Sequence, residues 1–491
     1  MPSVATSLRE PARPAVIRAH RLAPWFAVGT VCFGAFMGQL DASVVTVAFP
    51  ALQRQFGTGL AGVQWVSLGY LLALVALLVP AGRWSDRAGR KLCYLAGFVV
   101  FAAASAACGL AGSLPVLIGL RLVQAAGAAM LQANSVALVV TSVPARQRRA
   151  ALGIQAAAQA VGLAAGPVTG GLLVATAGWR WIFLINVPVG LVAVAAGWYL
   201  LPRSRQLAGR RGNDPAGTVL LAVSATAAML AISSLSGLGM PPAAVAGCAA
   251  AAVLAGAGLW RWERRCAAPL LDLTALSTAG ILPALGGALC AYLVLFGPLV
   301  LFPQVVAAGG GSALTAGLLL TSLPAGFGLA AVAADRLIPA RWPNSRRCAA
   351  GGVLAACCAA ALAVPAPHAV SVVLLGLLGA GLGVYTPANN AEIMTALPSR
   401  DAATGGGMVN MTRGIGTALG VAVVTLGLHL GKRAGDPSAG PSLALAALSA
   451  AALAAAWAGW RAGPRPCRPD GAGPRRTGSP EIGPNERDGL R

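Results

Sequence analysis

Apolar residues fall along this chain in long blocks separated by short polar loops. Fourteen blocks can be marked, at about 25–49, 62–82, 92–112, 115–141, 150–175, 181–201, 215–236, 241–260, 281–303, 313–335, 347–365, 369–391, 404–429 and 442–461. Each supplies the roughly 20 apolar residues that a helix needs to cross a bilayer core of about 30 Å. The pattern predicts an all-α integral membrane protein. Its spans group as six, two and six, with the longer connections near 202–214 and 262–280. Expected segments are a cytoplasmic tail 1–24, a first six-helix bundle 25–201, a linker 202–262 holding two accessory spans, a second six-helix bundle 263–461 and a disordered cytoplasmic tail 462–491. The accessory spans are almost wholly Ala, Val, Leu and Gly, and Asn213-Asp214-Pro215 is a helix-start signal before the first of them. Two echoes link the halves. "GRWSDRAGRK" after span 2 is answered by "ADRLIPARW" after span 10, and "VGLAAGPVTGG" in span 5 by "GIGTALGVAV" in span 13. Internal repeats with a site between the halves are a common transporter design.

Composition agrees with the spans. The chain is 57% hydrophobic and 10% charged, where a soluble domain carries about 25% charged residues. A net charge of +22 would suggest nucleic acid in a soluble protein. Here the basic residues sit in alternate loops (Arg83, Arg87, Arg90 and Lys91; Arg146, Arg148 and Arg149; Arg203, Arg205, Arg210 and Arg211) and in the tails. That is a positive-inside bias with both termini cytoplasmic, and it predicts no nucleic-acid partner. Residues 1–24 are polar and the span after them is too long for a signal-peptide core, so it reads as a retained first helix. No outer loop holds a cysteine pair, so no disulfide framework is expected. Heavy Ala, Gly and Arg usage suggests a GC-rich bacterial genome, hence a bacterial cytoplasmic membrane. His20, His368 and His429 are far apart and no P-loop pattern occurs, so neither a metal site, a cofactor nor an enzymatic activity is expected.

Four stretches carry chemistry. The loop "GRWSDRAGRK" places Gly82, Asp86, Arg87, Gly89 and Arg90 at a helix junction, where one acid among bases can form a breakable latch and Gly89 permits a tight turn. Span 4 holds Arg121 and Gln124, with Arg121 about 10 Å below the outer edge at 1.5 Å per residue. In span 5, Gly162, Gly166 and Gly170 recur on one helix face, which lets another helix approach closely, and Pro167 and Gly171 complete the stretch. Span 1 contains "LDASVVTVAFP", with Asp41 about 12 Å below the outer edge. An ionisable group at that depth is costly and is usually kept for a task.

Together these residues resemble the signatures of the major facilitator superfamily, specifically its fourteen-span drug:proton antiporters. Trp84 stands where the family has Leu, Ala125 where it has Gly and Ser43 where it has Thr. The resemblance covers residues 25 to 461. It implies two six-helix bundles plus two extra central helices around a cavity open alternately to either side. It also implies that Asp86 and Arg90 help hold the cytoplasmic side shut, and that the Gly-Pro stretch of span 5 is a pliable, leak-tight contact.

Asp41 and Arg121 lie at matched depth and are plausible partners. Burial disfavours a charged carboxyl and a nearby cation favours it, so Asp41 can gain and lose a proton as its surroundings change. The expectation is that Asp41 couples transport to protons and Arg121 modulates it; a permanent Asp–Arg staple is the alternative. Gln39, Gln124, Gln304 and Asn410 are expected to line the substrate cavity. Glu392, at the end of span 12, could meet Arg413 or serve an exit gate. The expected function is proton-coupled efflux of amphipathic small molecules such as drugs or antibiotics by a monomer in membrane lipid, with protons as the coupling ion. An exporter of one endogenous metabolite (a peptide, siderophore or lipid precursor) and a non-transporting receptor or scaffold stay open as alternatives.

Overall fold

The protein is seen here in a computed structural model that describes residues 13–58, 60–203, 214–235, 240–266, 280–308, 313–339, 341–364, 366–397, 401–433 and 439–462, and among these residues there are fourteen long helices. They are α1 (Ala23–Val47), α2 (Leu60–Ala88), α3 (Arg90–Gly109), α4 (Leu114–Ser142), α5 (Arg148–Thr176), α6 (Asn186–Leu200), α7 (Pro215–Leu235), α8 (Pro242–Glu263), α9 (Ile281–Ala308), α10 (Ala313–Leu337), α11 (Asn344–Ala361), α12 (His368–Ala396), α13 (Ala402–Arg433) and α14 (Ala439–Arg461). Short helices Ala15–Ala19, Phe49–Phe56 and Trp181–Leu184 flank α1 and α6. Among the described residues thirteen spans are long and apolar enough to cross a membrane; α11, whose first turn holds Arg346 and Arg347, is not one of them. The expectations for residues 1–12, 204–213 and 463–491, and for the side chain of Pro167, lie outside the described residues.

Local sequence sets the breaks. Gly89 has φ 113°, a backbone few other residues adopt, and separates α2 from α3. Ser113 is extended and Pro115 enters the first turn of α4, where its fixed φ is preformed for a helix and its missing N–H costs nothing. Asp214 accepts hydrogen bonds from Gly217 N and from Trp262 Nε1, both at 2.8 Å. It thereby caps the start of α7 and ties it to the end of α8.

The helices pack as two related bundles. In the first, α1 packs on α5 and α6, α4 on α2 and α3, and α3 on α6. Eight helices later the same pairs recur: α9 on α13 and α14, α12 on α10 and α11, and α11 on α14. The bundles meet through α2 against α13 and, equivalently, α10 against α5. The accessory pair sits outside: α8 packs on α7, and α7 touches α2 and α13. Between the bundles the closest approaches use glycine. A methyl at Gly82 would strike Ala403 O, at Gly407 Leu78 O, at Gly406 Ala133 O and at Gly153 Ala331 O. All four contacts lie toward the ends of the helices that carry the basic loops, so the two bundles are shut there.

Candidate functional site

Asp41 is 2% exposed and lies inside the first bundle. Its Oδ2 is 2.8 Å from Arg121 Nη1, and its Oδ1 accepts from Asn186 Nδ2 at 3.0 Å and Gln124 Nε2 at 3.1 Å. Arg121 also donates to Val66 O at 3.1 Å and Gln124 Oε1 at 2.6 Å, and its guanidinium lies 4.0 Å from the Tyr70 ring centroid. Gln124 Nε2 reaches Ser105 Oγ at 2.6 Å, which closes the network. Five helices, α1, α2, α3, α4 and α6, therefore converge on one ion pair. A buried pair repays its desolvation only when its remaining lone pairs and protons are satisfied, and this one is hydrogen-bonded on both sides.

Asp41 faces the bundle interior, not the space between bundles. Gln39, two residues earlier, lines a narrow central cavity with Gln159, Leu163, Tyr292, Phe296 and Phe327. The cavity has about 20 Å³ open to water, little more than one water needs. A drug-sized ligand fills roughly 300 Å³ or more, which this space does not provide.

The glycine face of α5 lies on α1 beside this network. A methyl at Gly162 would strike Phe36 O, at Gly166 Ser43 Oγ, and at Gly170 would come within 3.2 Å of Val44 O. Gly171, expected to belong with them, has nothing within 4 Å of the position a methyl would take. The echo in span 13 is structural too: Gly416 and Gly420 lie as tightly on Leu289 O and Leu293 O of α9.

At the basic-loop end, Asp86 crosses between the bundles. It pairs with Arg90 Nη2 at 2.8 Å and accepts from Ala403 N at 3.0 Å, Thr404 N at 2.8 Å and Thr404 Oγ1 at 2.8 Å. The carboxylate thus caps the first turn of α13, where exposed amides and the helix dipole favour an anion. Gly82 allows the approach, Gly89 makes the turn, and Arg87 is half-buried beside them. The related contact in the second half uses Asp335 of α10, which accepts from Arg149 Nε of α5 and Arg347 Nη1 of α11, each at 3.0 Å. Arg149 also donates to Asn344 Oδ1 at 3.3 Å.

Other expected positions fall elsewhere. Gln124 belongs to the Asp41 network rather than the cavity. Asn410 donates to Gln132 O at 2.9 Å and Gly406 O at 3.0 Å, joining α13 to α4. Gln304 is exposed and its amide reaches only Val300 O of its own helix, at 3.5 Å. Of the four residues expected in the cavity, Gln39 lines it. Glu392 sits beside Asn344 in the field of Arg149, and among the described residues it forms no ion pair with Arg413. Sequence reasoning missed Ser105, Asn186, Tyr70, Arg149 and Thr404. Asn186 had a signal, being the one side-chain amide in the apolar block 181–201.

Two six-helix bundles, a buried ion pair in one of them and charged latches across one end define a multi-pass membrane transporter. The sequence matches the family model described as Major Facilitator Superfamily over residues 31–421. The chain belongs to that superfamily. It is 31% identical over 420 residues to the tetracenomycin C resistance and export protein of Streptomyces glaucescens, covering 84% of this chain and 77% of that one. It is 32% identical over 401 residues to the methylenomycin A resistance protein of Streptomyces coelicolor, covering 81% and 84%. Its fold matches the crystal structure of the human organic anion transporter MFSD10 with a TM-score of 0.66 at 15% identity, over 89% of this chain and 99% of that one.

Proposed function

We propose that this protein exports amphipathic small molecules, antibiotics among them, across the bacterial cytoplasmic membrane in exchange for protons, with both termini in the cytoplasm. The observation that carries the reading is one carboxylate, Asp41, sealed within the first bundle against Arg121. The names of the relatives that resist tetracenomycin C and methylenomycin A support a drug-like cargo.

A proton arriving from outside neutralises Asp41 and removes the counter-charge of Arg121. The guanidinium must then find other partners, and the helices that meet at the pair shift. Helix α5 rides on α1 through Gly162 and Gly166, lines the cavity through Gln159, and begins at the Arg149–Asp335 latch. It therefore connects the proton site, the cargo site and the cytoplasmic closure. Cargo is held mostly by apolar area with a few amide contacts, which favours breadth over selectivity. Both bundles belong to one chain, which supports a monomer working in membrane lipid with protons as the coupling ion.

The test is drug uptake into inside-out vesicles with an imposed proton gradient. Asp41→Asn abolishes gradient-driven uptake and Asp41→Glu retains part of it. Gradient-driven uptake that persists in Asp41→Asn removes the coupling role.

A further inference from the structure

Among the described residues two buried arginines, Arg121 and Arg413, lie well inside their helices rather than at an end, and of these Arg121 has a carboxylate. Arg121 stacks on Tyr70 and pairs with Asp41. Arg413 stacks on Tyr292, with its guanidinium 4.9 Å from the ring centroid, and is 5% exposed. It stands eleven residues into α13, about 16 Å at 1.5 Å per residue, near the middle of a bilayer core of about 30 Å. Among the described residues no acidic side chain pairs with it. One donor, Nη1, reaches Asn410 Oδ1 at 3.3 Å, and Nε is buried with no partner. The Asn410 amide is itself committed to α4 and to its own helix.

An unpaired guanidinium at this depth is expensive, because its charge is desolvated without a counter-charge to repay the cost. Its neighbour shows where the missing anion can come from. Tyr292, on which Arg413 rests, is also a wall of the central cavity, and Phe296 stacks on it at 6.2 Å. The cavity is lined by aromatic rings, aliphatic side chains and the amides of Gln39 and Gln159, with no acidic side chain. Asp41, the nearby acid, is taken up by Arg121, Gln124 and Asn186. A lipophilic cation would find no carboxylate among those lining residues, and Arg413 stands directly behind the wall that Tyr292 forms.

We propose that Arg413 is the substrate-recognition cation of the central cavity, and that the exported compounds are amphipathic anions: an aromatic body carrying a carboxylate, sulfonate or ionised phenol. The aromatic body packs on Phe296, Phe327 and Tyr292. The anionic group supplies the counter-charge that Arg413 lacks, through the donors now unused. This rests on the export reading above and names its substrate class.

The test uses three probes in inside-out vesicles with an imposed proton gradient: 8-anilinonaphthalene-1-sulfonate, its neutral sulfonamide and the cation ethidium. The wild-type protein accumulates the sulfonate at least about tenfold better than the sulfonamide or ethidium, the factor expected when one charge-assisted hydrogen bond is lost. Arg413→Gln lowers sulfonate transport by at least about the same factor and Arg413→Lys recovers part of it. The comparison of sulfonate with sulfonamide needs no variant, so it decides the matter even if Arg413→Gln does not fold. Equal transport of sulfonate and sulfonamide, better transport of ethidium, or full sulfonate transport by Arg413→Gln overturns the proposal and leaves export standing. Transport of none of the three by wild-type protein overturns the export reading and this proposal with it.

Discussion

Thr404, at the start of α13, gives both its backbone N–H and its hydroxyl to Oδ2 of Asp86, each at 2.8 Å. Asp86 belongs to the first bundle and Thr404 to the second, so this helix cap is also a bolt between them. Its strength is set by charge: hydrogen bonds to an ionised acceptor contribute about 1.5–3 kcal/mol, and the helix terminus adds about 0.3–1 kcal/mol. Asp86→Asn keeps the shape and loses the charge. It should raise thiol labelling of a cysteine placed at Ala137, which is packed against Ala402 and Ala403 in the closed form. Unchanged labelling would show that the cap does not hold the closure.

The second bolt predicts a symmetric result. Asp335 receives Arg149 from the first bundle and Arg347 from its own, and it is more open to solvent than Asp86, with a side chain 20% exposed against 2%. Exposed ion pairs contribute less than buried ones, so Asp335→Asn should raise labelling at Ala137 less than Asp86→Asn does. The two sites share no partner, so in the double variant the two free-energy changes should add. A double variant no more open than Asp86→Asn alone would mean that Asp335 only braces its own bundle.

The glycine face of α5 separates residues of one motif by what each would strike. Gly162→Ala and Gly166→Ala force a methyl into α1, and overpacking of this kind costs about 1–3 kcal/mol. Gly171→Ala meets open space. Thermal unfolding of purified protein should show the first two melting several degrees lower and the third unchanged. A Gly171→Ala loss as large as that of Gly166→Ala would refute the assigned contacts.

How far the sequence reached depends on what kind of information each residue needed. Asp41 and Arg121 were legible because each is a lone charge in an apolar block, and counting 1.5 Å per residue put them at one depth. Depth says nothing of rotation about the helix axis. Gln304 and Asn410 are amides at the end of or within apolar blocks, yet one is exposed on α9 and the other faces α4. Ser105 is small, neutral and common in apolar spans, and although Asn186 stands out as the one amide of its block, the role of both appears only when α3 and α6 close on α1. Asp335 reads from the sequence as a loop acid. Its cross-bundle role depends on the relation that carries α2 and α13 onto α10 and α5, of which the echo "ADRLIPARW" and that between spans 5 and 13 are the linear traces.

The Asp41–Arg121 pair allows its structural and coupling roles to be separated. Asp41→Asn alone leaves Arg121 charged, buried and without its carboxylate, and breaking one side of such a pair costs about 3–5 kcal/mol. Removing both charges, in Asp41→Asn with Arg121→Gln, leaves two amides among Gln124, Asn186 and Ser105, which can hydrogen-bond with no net charge to bury. The double variant should therefore melt well above Asp41→Asn and close to wild type. If the pair were only a staple, the double variant would regain proton-driven export along with its stability. If Asp41 carries the proton, stability returns and gradient-driven export does not, while drug still exchanges across vesicles without a proton gradient. Gradient-driven export by a stable double variant would leave this chain with a buried ion pair and no proton carrier.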